Sequence, residues 1–489
     1  MGIIGNIGHE ARITARSLLD AASGMVEPSL RLGVTGLSRA GKTVFITSLV
    51  HALTVGARMP LFRAAGEGRI ASARLAPQPD DAVPRFEIEK HLSAFTGAER
   101  HWPESTRRIA ELRVVIDYQS QGFWGRQFGP SKLNLDIVDY PGEWLLDLGL
   151  MGKSFERWSS ETVAQARIGA RAAIAADWLE ATAATDPGTR ESEDVARRNA
   201  ALFTSYLRSA RDARHALSAL PPGRFLMPGD LEGSPALTFA PLDVPADGTA
   251  PAGSIWALMG RRYDAYVQHV VRPFFRDHFA RLDRQIVLVD ALTALNAGPD
   301  AVMDLENALA DVLTAFRHGG PSWLGVLRPR IDRLLFAATK ADHLHHTSHD
   351  RLEAILAKLV ERASVRAGAA GAMVDILALA SVRATREGQV RRGGVEYPVI
   401  IGVPEAGEQA GDEIFDGERE MAFFPGDLPA DPSQALAAGG FRGRLSGAEA
   451  DMRFVNFRPP QIEPAPWGMR LPHIRLDRAL EFLIGDALA

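Results

Sequence analysis

The run Gly36-Leu37-Ser38-Arg39-Ala40-Gly41-Lys42-Thr43 constrains this chain more than any other stretch, because it fixes a local path and a chemistry together. It is a full match to G-x-x-x-x-G-K-[ST]. The apolar segment Leu32–Thr35 precedes it, and an apolar-periodic segment follows it to Val50. This context predicts strand, loop and helix. Gly36 and Gly41 let the backbone turn so that its N–H groups point inward at phosphate oxygens. Lys42 neutralises β- and γ-phosphates, the Thr43 hydroxyl ligates Mg²⁺, and the helix adds its positive end. The expected phosphate cradle spans Ser38, Arg39, Ala40, Gly41, Lys42, Thr43 and Val44. The competing reading is a strand–helix turn that matches the pattern by accident.

A chain of 489 residues exceeds a single core, so two or three domains are expected. A net charge of −5 speaks against nucleic acid as a partner, since neutralising phosphate backbones requires clustered base. With no cysteine, disulfides, thiol catalysis, thiolate metal sites and prenylation are excluded. No secretory signal and no apolar run of transmembrane length are seen, which leads to the expectation of a cytoplasmic protein. Residues 3–22 are apolar at helical spacing, giving an N-terminal amphipathic helix over 1–28. It either packs on the domain or makes peripheral contact with a membrane surface.

Apolar runs at 32–35, 112–118, 133–138, 285–289, 334–338 and 376–380 read as strands, most followed by helical patterns. Alternation of this kind implies an α/β fold with a mostly parallel sheet covered on both faces. Residues 56–105 read as loop-rich, with Pro60, Pro77, Pro79, Pro84 and Pro103. Residues 151–280 read as a helical insertion, with one long helix from a Ser192 cap to Leu220 and another over 255–280, kinked or broken near Pro273. Residues 391–470 read as a small β-rich appendage, with strands at 395–403 and 452–457, and 471–489 as a closing helix on the nucleotide-binding part. That part is discontinuous, 29–150 and 281–390.

Two further motifs bear on the loop. Asp139-Tyr140-Pro141-Gly142 ends the strand 133–138. An Asp there holds Mg²⁺ through water, and the Gly142 N–H meets a γ-phosphate. Thr339-Lys340-Ala341-Asp342 follows the strand 334–338. The Asp342 carboxylate suits the N1–H and N2–H₂ donors of guanine, which adenine lacks, and the Lys340 stem covers the base face. His343, His345, His346 and His349 follow at once. They read as a polar loop and helix start rather than a metal site, since no carboxylate pattern accompanies them.

These motifs stand in the order of the Ras-like GTPase superfamily, a resemblance covering roughly residues 30–150 and 283–387. TGLSRAGKTVFITSLV, IVDYPGEWLLDL, LLFAATKADH and HIRLDRALEFLIGD resemble more closely the YcjX-like family of bacterial stress-associated P-loop proteins, over nearly the whole chain. The resemblance implies a Ras-like G domain, a P-loop NTPase fold that binds GTP/GDP with Mg²⁺. It implies that Ser381 and Val382 offer backbone to guanine O6. It also calls for a switch threonine completing the Mg²⁺ sphere, here Thr106 with Ser105 as rival. Thr43, Thr106 and Asp139 are then the metal set, and Lys42, Thr106, Gly142 and Glu143 the catalytic set. Glu143 stands where Ras-like proteins carry glutamine, which predicts slow hydrolysis. Arg39, Arg107 and Arg108 are candidates for a transition-state charge.

The function expected is therefore a regulatory GTPase, a nucleotide-dependent switch acting on an unknown protein effector. The alternatives are an ATP-dependent P-loop enzyme and a membrane-proximal scaffold in which nucleotide is structural.

Overall fold

The computed structural model describes residues 28–37, 39–97, 99–104, 106, 108–121, 131–212, 214–314, 331–369, 371–392, 394–410, 413–437, 454–462 and 470–489. The expected N-terminal helix lies outside these residues, as do Ser38, Ser105 and Arg107.

Strand β1 (Ser29–Gly36) runs into the loop and then into helix α1 (Lys42–Thr54). Beyond it come β2 (Ile70–Ala76), α2 (Ile88–Thr96), β3 (Ala110–Tyr118) and β4 (Ser131–Asp139). After the helical segment the alternation resumes with β5 (Arg284–Val289), β6 (Arg333–Ala338) and β7 (Met373–Ala378). All seven form one sheet in the order β2-β3-β4-β1-β5-β6-β7. β4, β1, β5, β6 and β7 are mutually parallel, while β3 pairs antiparallel with both β4 and β2. The central strands are buried on both faces, which explains why β5 reads RQIVLV without polar alternation.

Two apolar layers cover the sheet. On one face Leu32, Val34 and Ile286 pack against Phe45 and Leu49 of α1, and against Leu480 and Leu483 of the closing helix. Arg284 and Arg333 anchor that helix by donating to the carbonyls of Leu483 and Phe482, at 3.2 and 2.7 Å. On the other face Val287, Phe336 and Ala338 join a core continuous with that of the helical insertion. Within the insertion Trp158 stacks on Tyr263 and Trp178 on Tyr206, with ring centroids 5.0 and 5.2 Å apart. The aromatic residues give a region of short helices enough apolar area to pack firmly.

Three sequence readings are corrected, and a fourth, the helix from Ile255 kinked or broken near Pro273, is met. The stretch 56–105 contains the helix α2 and also β2, an edge strand whose Ala- and Ser-rich sequence is half exposed and so carries little β signal. The long insertion helix, α3, spans Glu193–Arg211 and stops short of Leu220. Asp212 turns extended, and Leu217 donates its N–H back to the Ala210 carbonyl, so Leu217 and Leu220 are buried from a turn. The helix from Ile255 is broken by a π-helical turn at Val267–Val271, just upstream of Pro273, which lacks the N–H needed to continue the ladder. Among the described residues, 454–457 is not a strand; Phe457 makes one isolated bridge to Pro404.

The appendage is an antiparallel sheet of β8 (Arg386–Arg392), β9 (Val395–Gly402) and β10 (Met421–Phe423), with β9 in the middle. It begins at Arg386, directly after the loop that follows β7. No helix among the described residues is long and apolar enough to cross a membrane.

Candidate functional site

The site forms at the carboxyl ends of the parallel strands, where open α/β sheets place their ligand crevices. The two loop glycines serve different needs. Gly41 adopts φ 78°, a left-handed conformation that favours glycine, and caps α1. Gly36 allows close approach, since a Cβ there would lie 2.9 Å from the Ala40 Cβ and 3.0 Å from Leu288. Arg39 is also left-handed, at φ 60°. The first turn of α1 follows immediately, and the N–H groups at a helix start have no partner within the helix.

A cleft of about 500 Å³ opens over this loop. It is lined by Arg39 through Val44, by Thr339, Lys340 and Asp342, and by Ser381 and Val382. Of the described residues expected to bind nucleotide, all but Asp139 and Gly142 thus border one cavity. The Asp342 Oδ2 accepts the Ala384 N–H at 2.8 Å. Lys340 is left-handed at φ 59°, and its Nζ lies 2.7 Å from the Asp290 carboxylate. Burial pushes the Asp290 carboxyl up, but Lys340 and the Thr293 hydrogen bonds outweigh it and hold the group below the usual carboxylate range.

Behind the phosphate end Thr43, Thr106 and Asp139 converge. The Thr106 hydroxyl donates to Asp139 Oδ2 at 2.6 Å and lies 3.4 Å from the Thr43 hydroxyl. Asp139 is buried, and its Oδ1 has no hydrogen-bond partner among the described residues. Burial raises its carboxyl pKa against the pull of Lys42 and Thr106. An orphaned carboxylate oxygen beside two hydroxyls is a donor set that fits a hard divalent cation such as Mg²⁺.

Gly142 packs directly on the loop: a Cβ there would fall 2.0 Å from the Gly36 carbonyl oxygen. The next residue, Glu143, is buried and paired with Arg211 at the end of α3, 2.6 Å away. The segment it opens is clasped throughout by the insertion. Gly223 lies so close that a Cβ would meet the Glu143 carbonyl oxygen at 2.1 Å. Asp147 accepts the Gly223 N–H at 2.6 Å and the Tyr266 hydroxyl at 2.5 Å. The Arg224 guanidinium sits 3.2 Å above the Trp144 ring, and the Trp144 Nε1–H donates to the Met227 carbonyl. Burial pushes the Asp147 carboxyl up to about 6, against those hydrogen bonds and Arg224.

Sequence reasoning missed five contributors. Arg211 carries no motif, and only the fold brings it to Glu143, 68 positions earlier in the chain. Glu405 and Glu408 of the appendage line the cleft, and Asn456 bridges Glu408 to Lys340 at 2.8 and 3.1 Å. Trp102, ahead of β3, lines the cleft too and donates to the Phe457 carbonyl at 2.7 Å. Of the candidate arginines, Arg39 borders the cleft and Arg108 is exposed, bordering a separate cavity.

The sheet order, the loop–helix turn after β1 and the meeting of Thr43, Thr106 and Asp139 define a P-loop nucleotide-binding fold of the Ras-like kind. The chain belongs to the YcjX-like family, DUF463, which it matches over residues 30–488. It is 37% identical over 475 residues to the Ras-like GTPase YcjX of Escherichia coli, covering 95% of this chain and 97% of that protein. It is 33% identical over 508 residues to the Ras-like GTPase YcjX of Shewanella oneidensis, with both chains covered in full.

Proposed function

We propose that this protein binds GTP and GDP with Mg²⁺ and hydrolyses GTP slowly, as a switch whose state is passed to the helical insertion. The observation that carries this reading is the cleft running from the Gly41–Thr43 turn to Asp342, with Thr106 and Asp139 meeting Thr43 behind its phosphate end. The names of the two relatives support GTP as the substrate. In this reading Lys42 meets the β- and γ-phosphates, the two threonines and Asp139 hold Mg²⁺, and Asp342 selects guanine. Mg²⁺ supplies neutralisation of phosphate charge when bound.

Slow turnover follows from Glu143. A glutamate beside a γ-phosphate is unfavourable as a free charge, and its pairing with Arg211 both cancels that charge and restrains the side chain from orienting water. The switch role rests on the same segment. Gly142 touches the loop and residues 143–147 touch the insertion, so a movement of Gly142 toward a γ-phosphate would shift α3 and Tyr266. The stress response implied by family resemblance would be the process such a switch serves, through an effector of unknown identity.

The test measures binding of GTP, GDP and ATP to wild type and Lys42→Ala, with phosphate release in parallel. Tight guanine binding lost in the variant, with slow release of phosphate, supports the reading. Equal binding of all three nucleotides, or a Lys42→Ala protein that binds as before, overturns it. Limited proteolysis tests the switch: identical cleavage of the insertion with GDP and a non-hydrolysable GTP analogue would contradict it.

A further inference from the structure

Three ligand-type side chains meet at the far end of the base-side loop. His345 and His346 follow Asp342, and Glu387 opens β8 of the appendage, yet their ligand atoms all lie within 4.8 Å of one another. His346 Nδ1 is 2.7 Å from Glu387 Oε2, and His345 Nε2 is 3.9 Å from the same oxygen. We propose that His345, His346 and Glu387 form a divalent transition-metal site, of the two-histidine, one-carboxylate type that suits Zn²⁺, joining the base-side loop to the β-rich appendage.

Metal–ligand distances of roughly 2.0–2.2 Å place two ligands of a tetrahedral ion about 3.3 Å apart. The two observed separations bracket that value. The longer one exceeds a hydrogen bond, so His345 and Glu387 have no direct bond that an ion would have to displace. His345 is buried, so its ring is held in place by its surroundings. Its Nδ1 lies 3.0 Å from the Thr347 hydroxyl and accepts the Thr347 N–H at 3.5 Å, contacts that hold the ring with Nε2 toward the site. Arg383 approaches the other carboxylate oxygen, Oε1, at 3.4 Å, leaving Oε2 for the ion. His346 is exposed, so the remaining coordination positions face solvent and water.

The site would act as a clip. Ala384 and Thr385, three and two residues before Glu387, donate to Asp342, at 2.8 Å to its carboxylate and 2.5 Å to its carbonyl. An ion tying Glu387 to His345 and His346 holds this strand against the residue facing the base. The inference does not depend on which nucleotide the cleft takes.

The experiment uses the full-length, tag-free chain, stripped with chelator and loaded with excess Mg²⁺ and GDP so that the phosphate site is not a competitor. Co²⁺ is added as the spectroscopic probe and Zn²⁺ as its competitor. The expected result is a visible Co²⁺ d–d spectrum saturating at one equivalent, abolished by Zn²⁺, with a rise in the thermal midpoint on Zn²⁺ addition. His346→Ala and Glu387→Gln lose the spectrum and the rise while keeping the metal-free midpoint. Thr347→Val weakens Co²⁺ binding by roughly 10–100-fold. No spectrum in the wild type, or a spectrum unchanged in both ligand variants, overturns the site.

Discussion

Replacing Arg211 by alanine probes the contact between the segment after Gly142 and the insertion. Arg211 and Glu143 are 2.6 Å apart, with side chains 19% and 7% exposed. At an effective dielectric of about 20, unit charges about 4 Å apart attract by roughly 4 kcal/mol, opposed by the desolvation of both. Arg211→Ala leaves a buried carboxylate without its counter-charge and is expected to destabilise the protein by about 3 kcal/mol. Glu143→Gln removes the charge that needs compensation, so the double variant should recover much of that loss. The expected coupling is about 2 kcal/mol in a double-mutant cycle. Urea unfolding followed by tryptophan fluorescence reads it, with Trp144 and Trp158 nearby in the same core. Neither residue borders the nucleotide cleft, so GDP affinity should stay within a few-fold of wild type. Effects that add to within about 0.5 kcal/mol would refute the reasoning, because independent sites behave that way.

Other predictions follow from the same contacts. Gly142→Ala should abolish GTP binding in a fluorescent-nucleotide assay, because its Cβ would fall 2.0 Å from the Gly36 carbonyl oxygen and push the loop apart. Chelating Mg²⁺ should weaken GTP binding in the wild type and have little further effect in Asp139→Asn, as judged by calorimetry, since Asp139 carries the orphaned oxygen. For Asp147 the folded pKa of about 6 stands above the unfolded carboxylate value of about 3.9. Between those values the folded state binds more protons, so this group's contribution to stability grows as pH falls from 7 to 4 and is lost as pH rises through 6. Asp147→Asn, compared with wild type by urea midpoints, should therefore cost more stability at pH 5 than at pH 8.

What could be read in the sequence follows from range. The Gly36–Thr43 turn, the β4 end at Asp139 and the Thr339–Asp342 loop are local motifs on apolar strands, and their positions at one end of the sheet follow from its parallel order. The edge strand β2 was missed because its burial is slight and its alanines and serine favour no strand. Arg211 meeting Glu143, Asn456 bridging Lys340 to Glu408, and Glu387 beside His345 and His346 join positions 41 to 116 residues apart. No local pattern marks such pairs, since an arginine or glutamate on a helix or strand end looks like any solvated charge until the fold gives it a partner. The histidines illustrate this: the carboxylate absent from their own stretch is supplied by the next strand in the chain after β7.

The central claim is a guanine nucleotide site built on the Gly36–Thr43 loop and read by Asp342. It is tested most directly by measuring the affinities of GDP, ADP and xanthosine diphosphate for wild type and Asp342→Asn. A site that hydrogen-bonds its ligand discriminates strongly, so the wild type should prefer GDP over ADP by about 100-fold or more, and the variant should transfer its preference to the xanthine nucleotide. Equal affinity for GDP and ADP in the wild type, or GDP binding unchanged by Asp342→Asn, would contradict it.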